Sequence, residues 1–254
     1  MDYEVDQPIL NSPYAEPKEH WLITPGETPR RMTGRRRAMY YYRSPGGDTE
    51  ANAEGRGTEV DLPLVNLIRE RLGEWRKADY PGVSRTTLEL LRYWRRDGRQ
   101  LRLFFAQLEA VETVIFLAEA RSDFLQGIEV PRDEPGDDAK LKGVAAFRRY
   151  ACKMATGTGK TMVMGMTAAW SILNKVSARS DNRFSDTVLV VCPNVTIRSR
   201  LQELDPRAGE ASIYRVRDLV PSHLMSDLMR GRVIVTNWHV FEPQVVQSDR
   251  KSVV

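Results

Sequence analysis

The nine residues Lys153 to Thr161, KMATGTGKT, constrain the fold of this chain more than any other segment. Gly157 and Gly159 leave the backbone open to close approach, and a basic and a hydroxyl side chain follow directly. A polyphosphate binds readily to a ring of backbone N–H groups at a helix N-terminus, where larger side chains would block its approach. The segment therefore predicts a phosphate-binding loop between a strand and a helix.

The predicted roles of the loop residues follow from their chemistry. Lys160 can reach the β- and γ-phosphates of a nucleoside triphosphate, and the Thr161 hydroxyl can ligate Mg²⁺, which makes these two the candidate catalytic residues. The strict pattern GxxxxGK[ST] requires a glycine where this chain has Met154. The alternative is a Gly/Thr-rich turn that caps a helix. The remaining predicted contacts to the nucleotide come from Thr156, Gly157, Thr158 and Gly159.

The segments around the loop predict an α/β domain. Arg148–Ala155 is predicted as a strand, and Met162–Val176 is apolar almost all round, which is typical of a helix buried against a sheet. Further strands are predicted at Thr187–Cys192, Ala211–Val216 and Arg232–Thr236. Alternating strands and helices indicate a parallel sheet flanked by helices.

Composition divides the chain into three predicted parts. Residues 1–60 are rich in proline, glycine and charge, and we expect little regular structure there and a flexible connection at Pro45–Glu59. Residues 61–140 are predicted to be helical, because apolar residues recur three and four apart, with Ser84 or Thr86 as the cap of the second helix. Residues 141–254 hold the predicted α/β domain.

Composition also limits the class of protein. With 41% hydrophobic and 28% charged residues, the chain is expected to be globular over most of its length. No apolar run reaches the roughly 18 residues needed to span a bilayer, and the acidic start is not a secretory signal, so we expect a cytoplasmic protein without a membrane partner. Cys152 and Cys192 lie in apolar segments and are predicted to be small buried residues rather than a disulfide.

Positive charge is concentrated in two places. Arg30–Arg43 holds six arginines around three consecutive tyrosines, a combination that suits a phosphate backbone with stacked bases. The alternative is a solvated basic loop whose tyrosines pack on the neighbouring domain. A second set favours a solvated helix face over a binding surface. Its members are Arg92, Arg95, Arg96, Arg99 and Arg102.

Four segments together resemble the first motor domain of superfamily 2 DNA helicases and translocases, in particular the DEAD/DEAH-type motor of type III restriction enzyme Res subunits. In chain order they are FFAQLEAVET, RRYACKMATGTGKTMVM, VLVVCPNVTIRSRL and VIVTNWH, within roughly residues 60–245. The resemblance implies a RecA-like parallel sheet, with ATP and Mg²⁺ as cofactors. It also implies DNA as a partner and a modification methyltransferase as a second one.

The resemblance assigns further roles to individual residues. It implies that Gln107 reads the edge of adenine, since an amide offers both a donor and an acceptor, with Phe104 or Phe105 stacking nearby. The alternative is a polar residue on the exposed side of an amphipathic helix.

Two loops after predicted strands are implied to touch one DNA strand. The alternative for the first is an ordinary strand-to-helix connection with Thr196 as N-cap. The first loop supplies Pro193, Asn194, Thr196, Arg198 and Arg200, and the next supplies Thr236 and Asn237.

The sequence departs from the family pattern in one respect. Hydrolysis in such motors uses an apolar strand ending in Asp-Glu, which holds Mg²⁺ and orients the attacking water. No such strand follows Lys160, and the Asp133–Glu134 pair precedes the loop. We therefore expect an incomplete domain, the N-terminal portion of an ATP-dependent DNA helicase or translocase. A nucleotide- and DNA-binding fragment without turnover, and a different P-loop enzyme such as a small-molecule kinase, stay open as alternatives.

Overall fold

The computed structural model describes residues 7–24, 27–42 and 58–242. They fall into two compact units, one within Met1–Val163 and the other within Met164–Val254. The connection predicted at Pro45–Glu59 lies almost entirely outside the described residues. The boundaries predicted at residues 60 and 140 stay predictions. In the part of the chain that the structure describes, no helix is long and apolar enough to cross a membrane.

The first unit opens with two small antiparallel sheets. Strand β1 (Glu19–Leu22) pairs with β2 (Arg30–Thr33), and β3 (Met39–Tyr42) pairs with β4 (Thr58–Asp61). The prediction of little regular structure in residues 1–60 is wrong for these segments. Aromatic residues favour extended pairing, and this local preference outweighed the polar composition around them.

Three helices follow, as the apolar periodicity predicted. They are α1 (Pro63–Lys77), α2 (Arg85–Arg95) and α3 (Phe105–Glu119). The predicted cap at Ser84 is confirmed, because its hydroxyl accepts a hydrogen bond from the backbone N–H of Thr87 at 3.0 Å. The helices enclose a core around two indoles, Trp75 and Trp94, and the apolar side of α3.

Helix α3 carries a glutamate at the centre of this core. The side chain of Glu112 is fully buried and accepts hydrogen bonds from Arg76 at 2.8 Å, from Arg95 at 2.9 Å and from the Tyr80 hydroxyl at 3.1 Å. Burial alone would lower the pKa of Arg95, but the hydrogen bond and the charge of Glu112 raise it. Burial, followed by the charge of Glu112, also raises the pKa of Tyr80, so its hydroxyl stays a donor.

A second buried glutamate of α3 holds the start of α2. Glu119 accepts the backbone N–H of Ser84 at 2.8 Å and the hydroxyl of Thr87 at 2.7 Å. A carboxylate at this place also compensates the positive end of the α2 dipole. Helix α3 is thus tied to both preceding helices by charged hydrogen bonds that its apolar pattern does not reveal.

The second basic set is not the solvated face that its spacing favoured. Arg95 points inward to Glu112, and Arg99 is buried with its Nε donating to the carbonyl of Leu101 at 2.7 Å. Helix α2 ends at Arg95, so the later arginines do not share a helix face. Arg92 fits the prediction, since it is exposed and pairs with Asp79.

Replacing Glu112 by glutamine tests this buried network. Glu112→Gln leaves Arg95 without a carboxylate and Arg76 with only the exposed Glu16 at 4.0 Å, so we expect the free energy of unfolding to fall by about 3 kcal/mol. Thermal unfolding followed by tryptophan fluorescence measures it. The control is Glu74→Gln, which removes an exposed partner of Arg71 and should cost about 0–1 kcal/mol. Equal losses in the two variants would contradict the central role of Glu112.

The segment before the phosphate-binding loop differs from its prediction. Strand β5 (Arg132–Asp133) pairs with β6 (Phe147–Arg148), and a short helix α4 (Asp137–Leu141) lies between them. The predicted strand Arg148–Ala155 is wrong, because residues 149–155 have no regular structure. An extended segment becomes a strand only where a neighbour pairs with its backbone, and the pairing ends at Arg148.

The two cysteines differ in their exposure to solvent. Cys152 lies in the irregular segment and is exposed, against the prediction, whereas Cys192 is buried as predicted.

The second unit is built around one long helix and a parallel strand pair. Helix α5 (Lys160–Ser177) begins in the first unit, and most of it belongs to the second. Strand β7 (Thr187–Cys192) pairs in parallel with β8 (Arg232–Asn237), which confirms two of the predicted strands. Between them lie the short helices α6 (Val195–Leu201), α7 (Ile213–Val216) and α8 (Met225–Leu228).

The strand predicted at Ala211–Val216 is wrong, because the segment forms a 3₁₀ turn followed by α7. Ile213 and Tyr214 are consecutive and both buried. A strand would place neighbouring side chains on opposite faces, whereas a helical turn can turn both toward one core.

The fold is mixed α/β. Each sheet among the described residues has two strands, so the RecA-like sheet implied by the resemblance is not shown. In the β7–β8 pair, Val190, Cys192 and Val235 are buried, while Leu189 and Ile234 on the opposite face are exposed. This alternation is typical of a sheet with one covered face.

Candidate nucleotide-binding site

The predicted phosphate-binding loop leads directly into α5. Gly157 and Gly159 have φ angles of 81° and 78°, in the left-handed region that glycine adopts without strain. The Nζ of Lys160 donates to the carbonyl of Ala155 at 2.9 Å, and the hydroxyl of Thr158 donates to the same carbonyl at 2.7 Å. The loop is therefore closed on itself through one backbone acceptor that the sequence pattern did not single out.

Gln107 of α3 holds this loop from the side. Its Nε2 donates to the carbonyl of Thr158 at 2.9 Å, and its Oε1 accepts the backbone N–H of Phe104 at 2.9 Å. The second bond is half of a capping box, in which the third residue of a helix reaches back to the N-cap. A Cβ at Gly159 would lie 2.2 Å from Nε2, so any larger residue there would displace the Gln107 amide from the loop.

The burial and contacts of Gln107 exclude one of the two interpretations of this residue. The side chain is buried, so a polar residue on an exposed helix face is excluded. Both heteroatoms of the amide pair with backbone, which leaves one N–H of Nε2 and one lone pair of Oε1 for a further partner. Reading of adenine by Gln107 stays a prediction.

The two candidate stacking residues differ in accessibility. Phe105 is buried, and the guanidinium groups of Arg35 and Arg76 lie 5.5 and 5.7 Å from its ring centroid. Phe104 is half-buried, with its ring centroid 5.5 Å from that of Tyr14. Phe104 is consequently the more accessible of the two rings.

A cavity of about 530 Å³ borders the loop within the first unit. Apolar side chains of α1 and α3, including Ile68 and Val114, form its walls, and Ala155 and Thr158 form the edge on the loop side. Its size falls in the usual range of small-ligand pockets. Gln107 does not line it, so this cavity and the predicted adenine-reading amide are separate features.

The loop residues predicted to bind phosphate lie together at the start of α5. Thr156, Gly157 and Lys160 are exposed, while Thr161 is half-buried in the first turn of the helix. A Cβ at Gly157 would meet no atom within 4 Å, so the backbone there faces open space. The loop thus presents exposed residues and a cationic side chain at a helix N-terminus, an end of the helix that favours negative charge.

The residues predicted to contact DNA lie together in the second unit. In the register of the two strands Cys192 is opposite Asn237, so the ends of β7 and β8 lie side by side. The Cys192 thiol lies 3.3 Å from Oδ1 of Asn237 and 3.2 Å from the carbonyl of Thr236. Asn194 caps α6, because its Oδ1 accepts the N–H of Ile197 at 2.9 Å. The alternative that Thr196 caps this helix is therefore wrong.

The exposed side of α6 carries unneutralised charge. Pro193, Asn194, Thr196, Arg198 and Arg200 are all exposed. Within residues 7–24, 27–42 and 58–242, neither Arg198 nor Arg200 has a carboxylate within 4 Å. These two guanidinium groups can take a phosphate without first breaking an ion pair.

The geometry shares with P-loops a glycine-rich turn that opens a helix with lysine and threonine in its first turn. Residues 100–245 match the family described as type III restriction enzyme, res subunit, and the chain belongs to this family. The match confirms the resemblance to a helicase-type domain and runs from just before α3 to just beyond β8. Comparison with curated proteins and with solved structures finds no match.

Substitution of Gln107 tests its contact with the loop. Gln107→Leu leaves the Phe104 N–H and the Thr158 carbonyl unpaired, and we expect a loss of about 1–3 kcal/mol in the free energy of unfolding. Gln107→Glu keeps the capping bond but places a carboxylate oxygen against the carbonyl of Thr158, so it should loosen the loop by repulsion.

Thermal unfolding and amide hydrogen exchange of residues 156–161 measure the two effects. The control is Gln126→Leu, at an exposed position of the first unit. If Gln107→Glu left exchange of the loop amides unchanged, the proposed support from α3 would be wrong.

Proposed function

We propose that this chain supplies the ATP-binding part of a DNA motor in a type III restriction enzyme, with Lys153–Thr161 as its triphosphate site. The observation that carries this proposal is the loop geometry: two glycines at positive φ, open backbone, and Lys160 at the start of an 18-residue helix. Family membership supports it, because Res subunits are helicase-type proteins that act on DNA. The domain from residue 141 onward is proposed as the first RecA-like domain.

The residues of the loop fit ATP with Mg²⁺. Backbone N–H groups of Thr156 to Gly159 would face the phosphates, and the Thr161 hydroxyl would be a ligand of the metal ion. The bound Mg²⁺ neutralises negative charge on the phosphate oxygens. Lys160 would exchange the neutral carbonyl of Ala155 for an anionic oxygen, a stronger charge-assisted hydrogen bond.

Binding and turnover are separate properties in this proposal. Hydrolysis in such motors requires an acidic pair after an apolar strand, and neither TVLVVC nor RVIVT ends in one. We therefore assign nucleotide binding to the residues of this chain and hydrolysis to none of them. A nucleotide- and DNA-binding role without independent turnover is the form of the function that these residues support best.

The proposed DNA contacts lie at the adjoining ends of β7 and β8. Arginine, hydroxyl and amide side chains at the carboxyl ends of parallel strands suit sequence-independent contacts with phosphates. Sequence recognition would then come from a modification methyltransferase subunit, the proposed protein partner. The residues concerned are Pro193, Asn194, Thr196, Arg198, Arg200, Thr236 and Asn237.

Substitution of Lys160 tests the triphosphate site. Lys160→Ala removes a charged hydrogen bond to phosphate, and we expect affinity for a fluorescent ATP analogue with Mg²⁺ to fall about ten- to a hundredfold. Lys142→Ala, an exposed lysine after α4, is the charge-matched control. Thr161→Val should abolish the dependence of binding on Mg²⁺, whereas Thr161→Ser should keep it. Unchanged affinity in Lys160→Ala would refute the site.

The DNA contacts are tested by the salt dependence of binding to duplex DNA. Replacing both Arg198 and Arg200 by glutamine should reduce the slope of log affinity against log salt by about 1.8, which is about 0.9 for each lost phosphate contact. Arg230→Gln is the control, because this arginine is exposed in the same unit and pairs with Asp227. A slope equal to that of the unmodified chain would exclude these arginines from the DNA interface.

A further inference from the structure

A basic and aromatic surface lies outside residues 100–245, on the small sheets and α1. Two concavities share the segment Arg35–Arg37 as a common wall. One, of about 380 Å³, also involves Arg69 of α1, and the other, of about 210 Å³, lies beside Trp21 and Tyr41. We call these residues, Trp21, Arg35–Arg37, Tyr41 and Arg69, the Arg–Tyr surface.

The larger concavity carries an excess of positive charge. Four arginines and one glutamate are among its lining residues. Arg35 is neutralised by Glu109 of α3, with Nη2 and Oε2 2.6 Å apart, and Arg37 lies 3.3 Å from Asp61. The two remaining arginines are the ones available for a ligand.

Arg36 and Arg69 lack a carboxylate within 4 Å among residues 7–24, 27–42 and 58–242. Arg36 donates to the Tyr41 hydroxyl at 3.2 Å, and Arg69 reaches the carbonyl of Arg36 at 3.5 Å. Burial, followed by the charge of Arg35, lowers the pKa of Arg69. A guanidinium that is half-buried beside another one is stabilised when an anion enters.

The smaller concavity is aromatic and its rings are held in place. The Tyr41 side chain is 51% exposed, and its hydroxyl is fixed between Arg36 and Glu59, donating to the latter at 2.8 Å. Trp21 is half-buried and donates from Nε1 to the carbonyl of Gln7 at 3.2 Å. A fixed, accessible ring loses little conformational freedom when a planar group stacks on it.

The two concavities together match one kind of ligand. A nucleotide unit combines an anionic phosphate with a planar base, and the shared Arg35–Arg37 wall joins a cationic concavity to an aromatic one. Bases in a duplex are stacked and paired inside the helix, whereas those of a single strand are free to enter a groove. An acidic peptide would use the guanidinium groups and leave the rings unoccupied.

We propose that the Arg–Tyr surface binds single-stranded nucleic acid, with a backbone phosphate at Arg36 and Arg69 and a base in the groove between Trp21 and Tyr41. This site uses neither the P-loop nor the ends of β7 and β8, so it does not rest on the proposed function. It gives the basic Arg30–Arg43 segment a binding role and replaces the alternative of a solvated loop.

The test is binding of the full chain to a fluorescein-labelled oligothymidine without nucleotide, followed by fluorescence anisotropy. Tyr41→Leu removes a stacking ring and should weaken binding by about tenfold, whereas Tyr41→Phe keeps the ring and should weaken it much less. Arg36→Gln should weaken binding and reduce the salt slope by about 0.7, the value for one phosphate contact with a single strand. Arg92→Gln is the control, since this arginine is exposed on α2 and outside the surface.

Several outcomes would overturn the proposal. They are unchanged affinity in both Arg36→Gln and Arg69→Gln, equal weakening by Tyr41→Leu and Tyr41→Phe, or, in a chain with Arg198 and Arg200 replaced by glutamine, equal affinity for a duplex of the same length. The last such outcome is complete displacement of the oligothymidine by polyglutamate of equal charge, in a competition that Tyr41→Leu does not change. That result would assign the surface to acidic peptides instead. Arg36 is exposed, so its variant keeps the test decisive if a Tyr41 variant fails to fold.

The same assay separates this surface from the proposed motor contacts. The Arg36→Gln effect should persist when Arg198 and Arg200 are also replaced, and it should persist in Lys160→Ala. Loss of ATP binding in Lys160→Ala without any effect of Arg36→Gln would refute the surface and leave the proposed function standing.

Discussion

The buried carboxylate of Glu112 is the interaction on which the first unit depends. It draws two arginines and a tyrosine hydroxyl from the preceding residues onto the middle of α3. A charge in such a place is tolerated only when its partners are complete, so the three helices have little freedom to shift independently. Five residues earlier on the same helix, Gln107 contacts the phosphate-binding loop. The position of the loop is thereby tied to the helical core.

Polar side chains along helix α3 therefore make three kinds of contact. Gln107 supports the loop, Glu109 neutralises Arg35, and Glu112 and Glu119 hold α1 and α2. The second unit is held differently at its candidate site. Parallel pairing of β7 with β8 brings their carboxyl ends together, and the Cys192 thiol adds a contact to the carbonyl of Thr236. In each unit, the candidate functional residues lie where buried polar contacts fix the backbone.

The sequence predicted features that depend on local pattern. The loop followed from its glycines, three helices from apolar spacing, and β7 and β8 from short apolar segments, and all of these elements are present. Predictions from the sequence failed where the structure depends on distant partners. Residues 149–155 lack a neighbouring strand to pair with, and Ile213 and Tyr214 both turn toward one core. Arg95 binds a glutamate seventeen positions away. The support of the loop by Gln107 was missed for the same reason, because its acceptor, the carbonyl of Thr158, lies 51 positions further along the chain.

The close approach of Gln107 to Gly159 has a consequence for sequence variation. A methyl group at position 159 would overlap the amide of residue 107, so the permitted side chain at each position depends on the other. The two positions form one steric unit, although they lie 52 residues apart. A shorter residue at 107 would relieve the overlap with a larger residue at 159. It would not restore the loop, because the left-handed backbone at 159 still favours glycine.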